Sequence, residues 1–243
     1  MLVSWGTNTV TSDAIGNMLS DGTWTYTWEH GRELASMSSG GTTWSFTYDA
    51  NGMRTKRTDG TTTYSYVYNG GQLSQMTIDA AEDVVLNFAY DASGTPLSVV
   101  YNGTYYYYVT DLQGDVVAIV DTQGEKVVEY LYDAWGRLLI TGGTKATDLD
   151  VHNPLRYRGY VYDPETGLYY LQSRYYNPTL GRFLSSDIVY DTDAGLQGFS
   201  LFLYCGNNPT NRVDASGKDS IDLIDGDKED EKKVAGGPIS DCR

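Results

Sequence analysis

The chain has 243 residues, a formal charge of −15 and a pI near 4.3, with 22 Tyr against 5 Phe and 5 Trp. That length can bury a core in one or two domains, and the acidic balance argues against nucleic acid as a partner, which needs a basic stripe. No stretch approaches the roughly 18 apolar residues of a membrane-spanning helix. The opening Met1-Leu2-Val3-Ser4-Trp5-Gly6 has neither the basic region nor the apolar run of a signal peptide, so any export signal is expected outside this fragment. Cys205 and Cys242 are too far apart for a metal motif or a disulfide framework. His30 and His152 are lone and lack partners at metal spacing, so turn or surface roles are expected, with no metal and no cofactor. Tyrosine joins an apolar ring to a hydroxyl that can stay wet, so the core is expected to face water or a cavity.

In chain order, the first signal is repetition. An aromatic, Thr or Val (Ser in the first copy) followed by Asp-x-x-Gly recurs as SDAIG, YDANG, YDASG, TDLQG, VDTQG and YDAWG, with degenerate copies at Trp28 and Tyr68. Gly16, Gly31, Gly52, Gly71, Gly94, Gly114, Gly124 and Gly136 are spaced by 15, 21, 19, 23, 20, 10 and 12 residues. A period of roughly 20 holds two strands and two turns, a hairpin unit that stacks into a quasi-one-dimensional sheet. Between turns, the runs beginning at Thr23, Thr43 and Thr63 alternate aromatic residues with Thr or Ser, the period-two pattern of a half-buried strand. Asp13, Asp49, Asp91, Asp111, Asp121 and Asp133 read as turn caps. Val116–Val120 reads as part of a strand buried on both faces.

Residues 141–151 are polar and turn-rich, a linker or excursion. The stretch Asn153–Asp187 then packs Tyr, Arg, Gly and Pro most densely. It reads as strands RYRGYVY, LYYLQSRYY and RFLSSD joined by the turns DPETG and NPTLG, two hairpins in succession. Gly206-Asn207-Asn208-Pro209 is a further turn. From Lys218 the composition shifts to a mixed-charge tail that cannot order itself alone. The expectation is an all-β chain with little or no helix, built of antiparallel hairpin repeats over 1–140, a second unit over 141–217 and a flexible tail over 218–243.

The YDxxG turns resemble the repeats of RHS/YD-repeat proteins. The run from DLQGDVVAIV through RYRGYVYDPETGLYYLQSRYYNPTLGRFLSSD to LYCGNNPTNRVDASG resembles the RHS-repeat-associated core domain. The resemblance implies a curved, spiralling sheet, a segment of a hollow cocoon-like shell. It further implies a secreted or cell-surface bacterial protein whose partners are the remainder of its shell, an enclosed C-terminal toxin and an immunity protein for that toxin. In this family the core domain is also a self-cleaving aspartyl peptidase that cuts just after a D-P-x-G-L motif. The matching positions are Asp214, Ala215, Ser216, Gly217 and Lys218, with Asp187 as the second carboxylate and Arg174 to orient or hold one of them. Two close carboxylates that share a proton can activate water and protonate the leaving amine. Ala215 stands where the motif has Pro and Lys218 where it has an apolar residue, and both departures weigh against cleavage.

Two other readings compete with the shell. One is self-cleavage near Gly217 or Lys218 through Asp187 and Asp214. The other is a carbohydrate- or choline-binding surface repeat, in which Trp24, Trp28 and Trp44 would stack on ligand. Aromatic strand faces are more often core, and the repeated element here is the Asp turn rather than a Trp cage.

Overall fold

The computed structural model describes residues 2–187, 201–218 and 220–223. Residues 188–200, the tail beyond residue 223 and Cys242 lie outside them.

A short hairpin, β1 (Ser4–Trp5) with β2 (Asn8–Thr9), leads into a strip of fourteen antiparallel strands paired in strict chain order. These are β3 (Thr11–Ser12), β4 (Met18–Ser20), β5 (Thr25–Glu29), β6 (Glu33–Ser39), β7 (Thr42–Tyr48), β8 (Arg54–Thr58), β9 (Thr63–Asn69), β10 (Gln72–Asp79), β11 (Val84–Tyr90), β12 (Pro96–Tyr101), β13 (Thr104–Thr110), β14 (Val116–Val120), β15 (Lys126–Tyr132) and β16 (Leu138–Gly142).

The Asp turns set the regularity of the strip. In all six, Asp Oδ1 accepts the backbone N–H two and four residues on, as Asp49 does from Asn51 (2.8 Å) and Met53 (2.9 Å). The Gly then takes the left-handed conformation, with φ of +79° at Gly52. The pairing register slips by a residue beside each such turn, a β-bulge that twists and bends the strip. Five of the six turns lie along one edge. The turn ending at Gly124 joins β14 to β15 on the opposite edge, which explains the short spacings around it.

The aromatic residue ahead of a turn ties one hairpin to the previous one. Tyr48 donates to the Leu34 carbonyl (2.9 Å), Tyr90 to Leu73 (2.9 Å), Tyr132 to Val116 (3.0 Å), and the Trp28 indole to Met18 (2.7 Å). Tyr68 departs from this pattern, its hydroxyl buried with no partner.

One face of the strip is packed. Leu34, Met37, Leu86, Val99, Ile119 and Val128 are wholly inaccessible, each contributing ~1.5–3 kcal/mol relative to exposure. What covers them is the remainder of the chain. After α1 (Leu149–His152) and a single helical turn at Tyr157–Gly159 come β17 (Val161–Asp163), β18 (Leu168–Tyr170), β19 (Tyr175–Asn177) and β20 (Arg182–Phe183), a four-stranded antiparallel sheet. One hydrophobic core holds residues of both layers, from Val10 to Leu184. A last hairpin pairs β21 (Arg212–Val213) with β22 (Ile221–Asp222).

The expected tyrosine-lined cavity is therefore filled: Tyr157, Tyr169, Tyr176 and Tyr204 are buried against one another. Three of their hydroxyls donate to backbone carbonyls, Tyr157 to Ala134 O, Tyr169 to Gly136 O and Tyr176 to Trp135 O. The strand expected from Arg156 begins at Val161, because Arg158 takes a φ of +55° to reach the Gln113 and Pro209 carbonyls. LYYLQSRYY is two strands, broken by a tight turn with Gln172 at φ +61° that pairs Tyr169 with Tyr176 and Tyr170 with Tyr175. Within the supposed linker, Leu149 and Asp150 are buried. Part of the supposed tail, Ile221–Asp222, is a strand. In the first three cases packing against the strip overrides the local composition, whereas Ile221–Asp222 is exposed and held by its pairing with β21.

Candidate functional site

The two layers are riveted by buried arginines. Arg54 and Arg57 in β8 are three residues apart and would point to opposite faces of a regular strand. The bulge at Thr55 turns both inward. Arg54 then forms a two-pronged pair with Asp163 in β17, at 2.5 and 2.9 Å, and lies over the rings of Tyr66 and Tyr170 at 4.6 and 4.5 Å. Arg57 bonds Glu165 (2.5 Å) and lies over Tyr64 at 3.7 Å. Arg156 pairs with Asp150 at 3.1 Å between Tyr130 and Tyr162. Asp115 accepts the Arg158 N–H at 2.9 Å; burial pushes its carboxyl up to about 6 although Arg158 pulls it down.

The fifth buried arginine, Arg174, gathers the residues singled out in the sequence. It immediately precedes β19, just after the turn that carries Ser173. Its Nη2 lies 2.9 Å from Asp187, which follows β20, and 3.4 Å from Asp214, which follows β21. Its Nη1 donates to Leu201 O at 3.3 Å, its Nε donates to Gly217 O, and its guanidinium lies 3.7 Å over the Phe183 ring. Asp214 is buried, and burial is the main cause of its carboxyl being pushed up to about 6. Arg174 and the Gly217 and Lys218 N–H groups pull it down, and Asp187 raises it. Asp214 N donates to Tyr160 Oη (3.1 Å), which is hydrogen-bonded to Tyr204 (3.1 Å).

Asp214 Oδ1 accepts the Lys218 N–H at 3.0 Å. Gly217 has a φ of +70°, and a Cβ there would meet Leu171 O at 2.6 Å and Ser173 Oγ at 2.8 Å, so only glycine fits. The structure thus brings Arg174, Asp187, Asp214, Gly217 and Lys218 to one place. Ala215 faces a neighbouring cavity of about 250 Å³ that is also lined by Tyr68, Tyr160 and Gln172.

Sequence reasoning missed Ser173 and the Arg54–Asp163 rivet. Asp163 opens the DPETG turn, where a carboxylate ordinarily caps the backbone, and the usable signal was two arginines amid aromatic strands. Of the other expected sites, Trp44 is buried beneath Arg57 at 4.8 Å and Trp28 is tied to Met18, so both serve packing. His30 sits in an exposed turn beside Glu33 at 3.0 Å, and His152 stacks on Tyr101 at 5.7 Å. Cys205 is buried and free. Among the described residues no helix is long and apolar enough to cross a membrane.

The repeated turns and the stacked hairpins define a YD-repeat shell protein. Residues 77–210 match the family described as Teneurin YD-shell, and the chain belongs to it. It is 39% identical over 216 residues to tRNA nuclease WapA of Bacillus subtilis, covering 86% of this chain and 9% of that protein. It is 35% identical over 109 residues to double-stranded DNA deaminase toxin A of Burkholderia cenocepacia, covering 44% of this chain and 7% of that one. Among solved structures, TcdB2-TccC3 aligns with a TM-score of 0.65 at 22% identity over 83% of this chain and 11% of its own. The Photorhabdus luminescens Tc holotoxin pore aligns with a TM-score of 0.68 at 22% identity over 84% and 10%. The chain spans about a tenth of the length of the curated relatives it matches along most of its sequence.

Proposed function

We propose that this chain is a shell segment of a secreted polymorphic toxin, enclosing and presenting a toxin carried C-terminal to it in competition between cells. One observation carries this reading. Relatives with different printed activities share parts of this chain: tRNA nucleases match 86% of it at 39–40% identity and a DNA deaminase toxin matches 44% of it at 35%, and the match is less than a tenth of each relative. What such proteins have in common is the carrier, because the activities differ. The geometry agrees, since the second layer closes one face of the strip and delivers the chain to the Arg174 cluster. On this reading the partners are the remainder of the shell, the enclosed toxin and an immunity protein for it. The test is protease treatment of the full-length protein: the polypeptide beyond Lys218 stays intact until the shell is denatured. Equal digestion rates in native and denatured protein would dispose of enclosure.

A second reading is favoured by Asp187 and Asp214 meeting the same Arg174 nitrogen: the cluster is an aspartyl site that cuts its own chain near Gly217 and Lys218. Asp214, with its raised pKa, is the proton donor, and Asp187 takes the proton of the attacking water. Intact mass of the purified chain beside Asp187→Asn and Asp214→Asn decides it. A single full-length species in the unmutated protein removes the idea.

A further inference from the structure

The geometry points to a binding site for an acidic saccharide in a groove of about 570 Å³ between the two layers, whose lining includes none of the Arg174 cluster. Small-molecule sites run to roughly 300–1,000 Å³ and set a few polar groups beside apolar rings. Four separate segments build this one. The first hairpin brings Trp5, and the turn between β15 and β16 brings Asp133, Trp135 and Arg137. The NPTLG turn leads into Arg182, and the turn after Tyr204 brings Asn207. Trp24, Trp28 and Trp44 pack in the core of the strip, whereas Trp5 belongs to neither core and is 47% exposed. Trp135 is fixed in advance. Its N–H donates to Asp133 Oδ1 at 2.9 Å and its carbonyl accepts the Tyr176 hydroxyl at 2.8 Å. Its ring lies so close to Gly181 that a Cβ there would sit 3.1 Å from it. A ring held before the ligand arrives costs little to order, and the electron-rich indole face packs against the C–H groups of a sugar.

Charge narrows the ligand. The groove sets two guanidiniums against one carboxylate, in a chain whose formal charge is −15. That carboxylate, Asp133, is already paired with Arg137 at 3.2 Å. Arg182 has no carboxylate partner among the described residues, and its Nε is buried without a hydrogen bond. A guanidinium in that state gains from an arriving anion, and its fork matches a carboxylate or a phosphate with two parallel hydrogen bonds. Thr179 and Asn207 line the same groove and carry groups that both donate and accept, as sugar hydroxyls require. A peptide fits less well, because β20 is already bridged on both sides, to β19 and to Leu203, and offers no open edge for main-chain pairing.

The test is calorimetric titration of the full chain with oligogalacturonate, with mannose 6-phosphate and, as the neutral comparison, with cellohexaose. Saturable one-to-one binding of an acidic sugar is expected, weakening as sodium chloride is raised, with no heat from cellohexaose. Whichever acidic sugar binds more tightly identifies carboxylate or phosphate as the group that Arg182 receives. Arg182→Gln is expected to weaken binding on the order of 10- to 100-fold, the worth of a charged hydrogen bond, and Trp5→Ala on the order of 10-fold. Arg137→Gln, at an exposed side chain, takes the place of Arg182→Gln if that variant does not fold. Lys56→Gln, which removes an exposed charge from β8, leaves the affinity unchanged. No binding of either acidic sugar overturns the proposal. Cellohexaose binding as tightly as the acidic sugars overturns the acidic class, and unchanged affinity in both Trp5→Ala and the arginine variant overturns the site.

Discussion

The residues that join the two layers are charged, and their energetics follow from burial. Removing one partner of a buried ion pair strands the other, at a cost of about 3–5 kcal/mol. Asp163→Ala is therefore expected to destabilise the chain by that amount in urea denaturation. Pairing it with Arg54→Met is expected to recover part of the loss, since no lone charge remains. Equal stability of single and double variants would count against the rivet. Asp115 gives a pH test. Its folded pKa of about 6 lies above its ordinary value of 3.8, so its stabilising contribution is full below about pH 4 and is lost as pH rises through 6. Asp115→Asn keeps the oxygen that accepts from Arg158 but cannot titrate. Between about pH 4 and pH 7 it is expected to flatten the stability profile by on the order of 3 kcal/mol. Parallel profiles for the two proteins would refute this.

At the scale of the element, the hairpin unit is held by its Asp cap, its left-handed glycine and its aromatic tether. Tyr90→Phe removes only the hydroxyl that reaches Leu73 O, and a loss of about 0.5–1.5 kcal/mol is expected. The glycines differ by what stands beside them. Alanine at Gly114 (φ +85°) meets nothing within 4 Å, whereas at Gly136 (φ +83°) its Cβ would lie 2.5 Å from the Tyr157 ring. Gly114→Ala should cost only backbone strain, ~1–2 kcal/mol, and Gly136→Ala should cost at least ~1 kcal/mol more through the displaced ring. Equal midpoints for the two in chemical denaturation would contradict the contact between the Gly136 turn and the second layer.

At the scale of the molecule, the second layer is what lets this piece of strip exist in water. A chain ending at Gly142 keeps the fourteen strands but exposes the face that holds Leu34, Met37 and Leu86. A face of that kind is a docking or aggregation surface. The expected outcome is an aggregated or unfolded product by light scattering and circular dichroism, beside a folded full chain. A monodisperse, sheet-rich protein ending at Gly142 would show that the strip is stable by itself. The edge strand β16, paired only to β15 among the described residues and with Leu139 and Ile140 exposed, adds to the same tendency.

The repeat was legible because its causes are local. An Asp cap, a glycine at positive φ and alternating aromatics act within a few residues of one another, so the turns, strands and all-β class could be read from spacing. Arg174, Asp187, Asp214, Gly217 and Lys218 were legible only through the family resemblance, since nothing in their spacing brings residues 40 apart together. What the tertiary structure alone decided was where the second layer goes. Burial on the strip split LYYLQSRYY at Gln172, turned Asp163 from a turn cap into the partner of Arg54, and replaced a wet tyrosine wall by a packed one. Those outcomes depend on contacts from 23 to 116 residues apart, where burying an aromatic face outweighs the preference of any local segment.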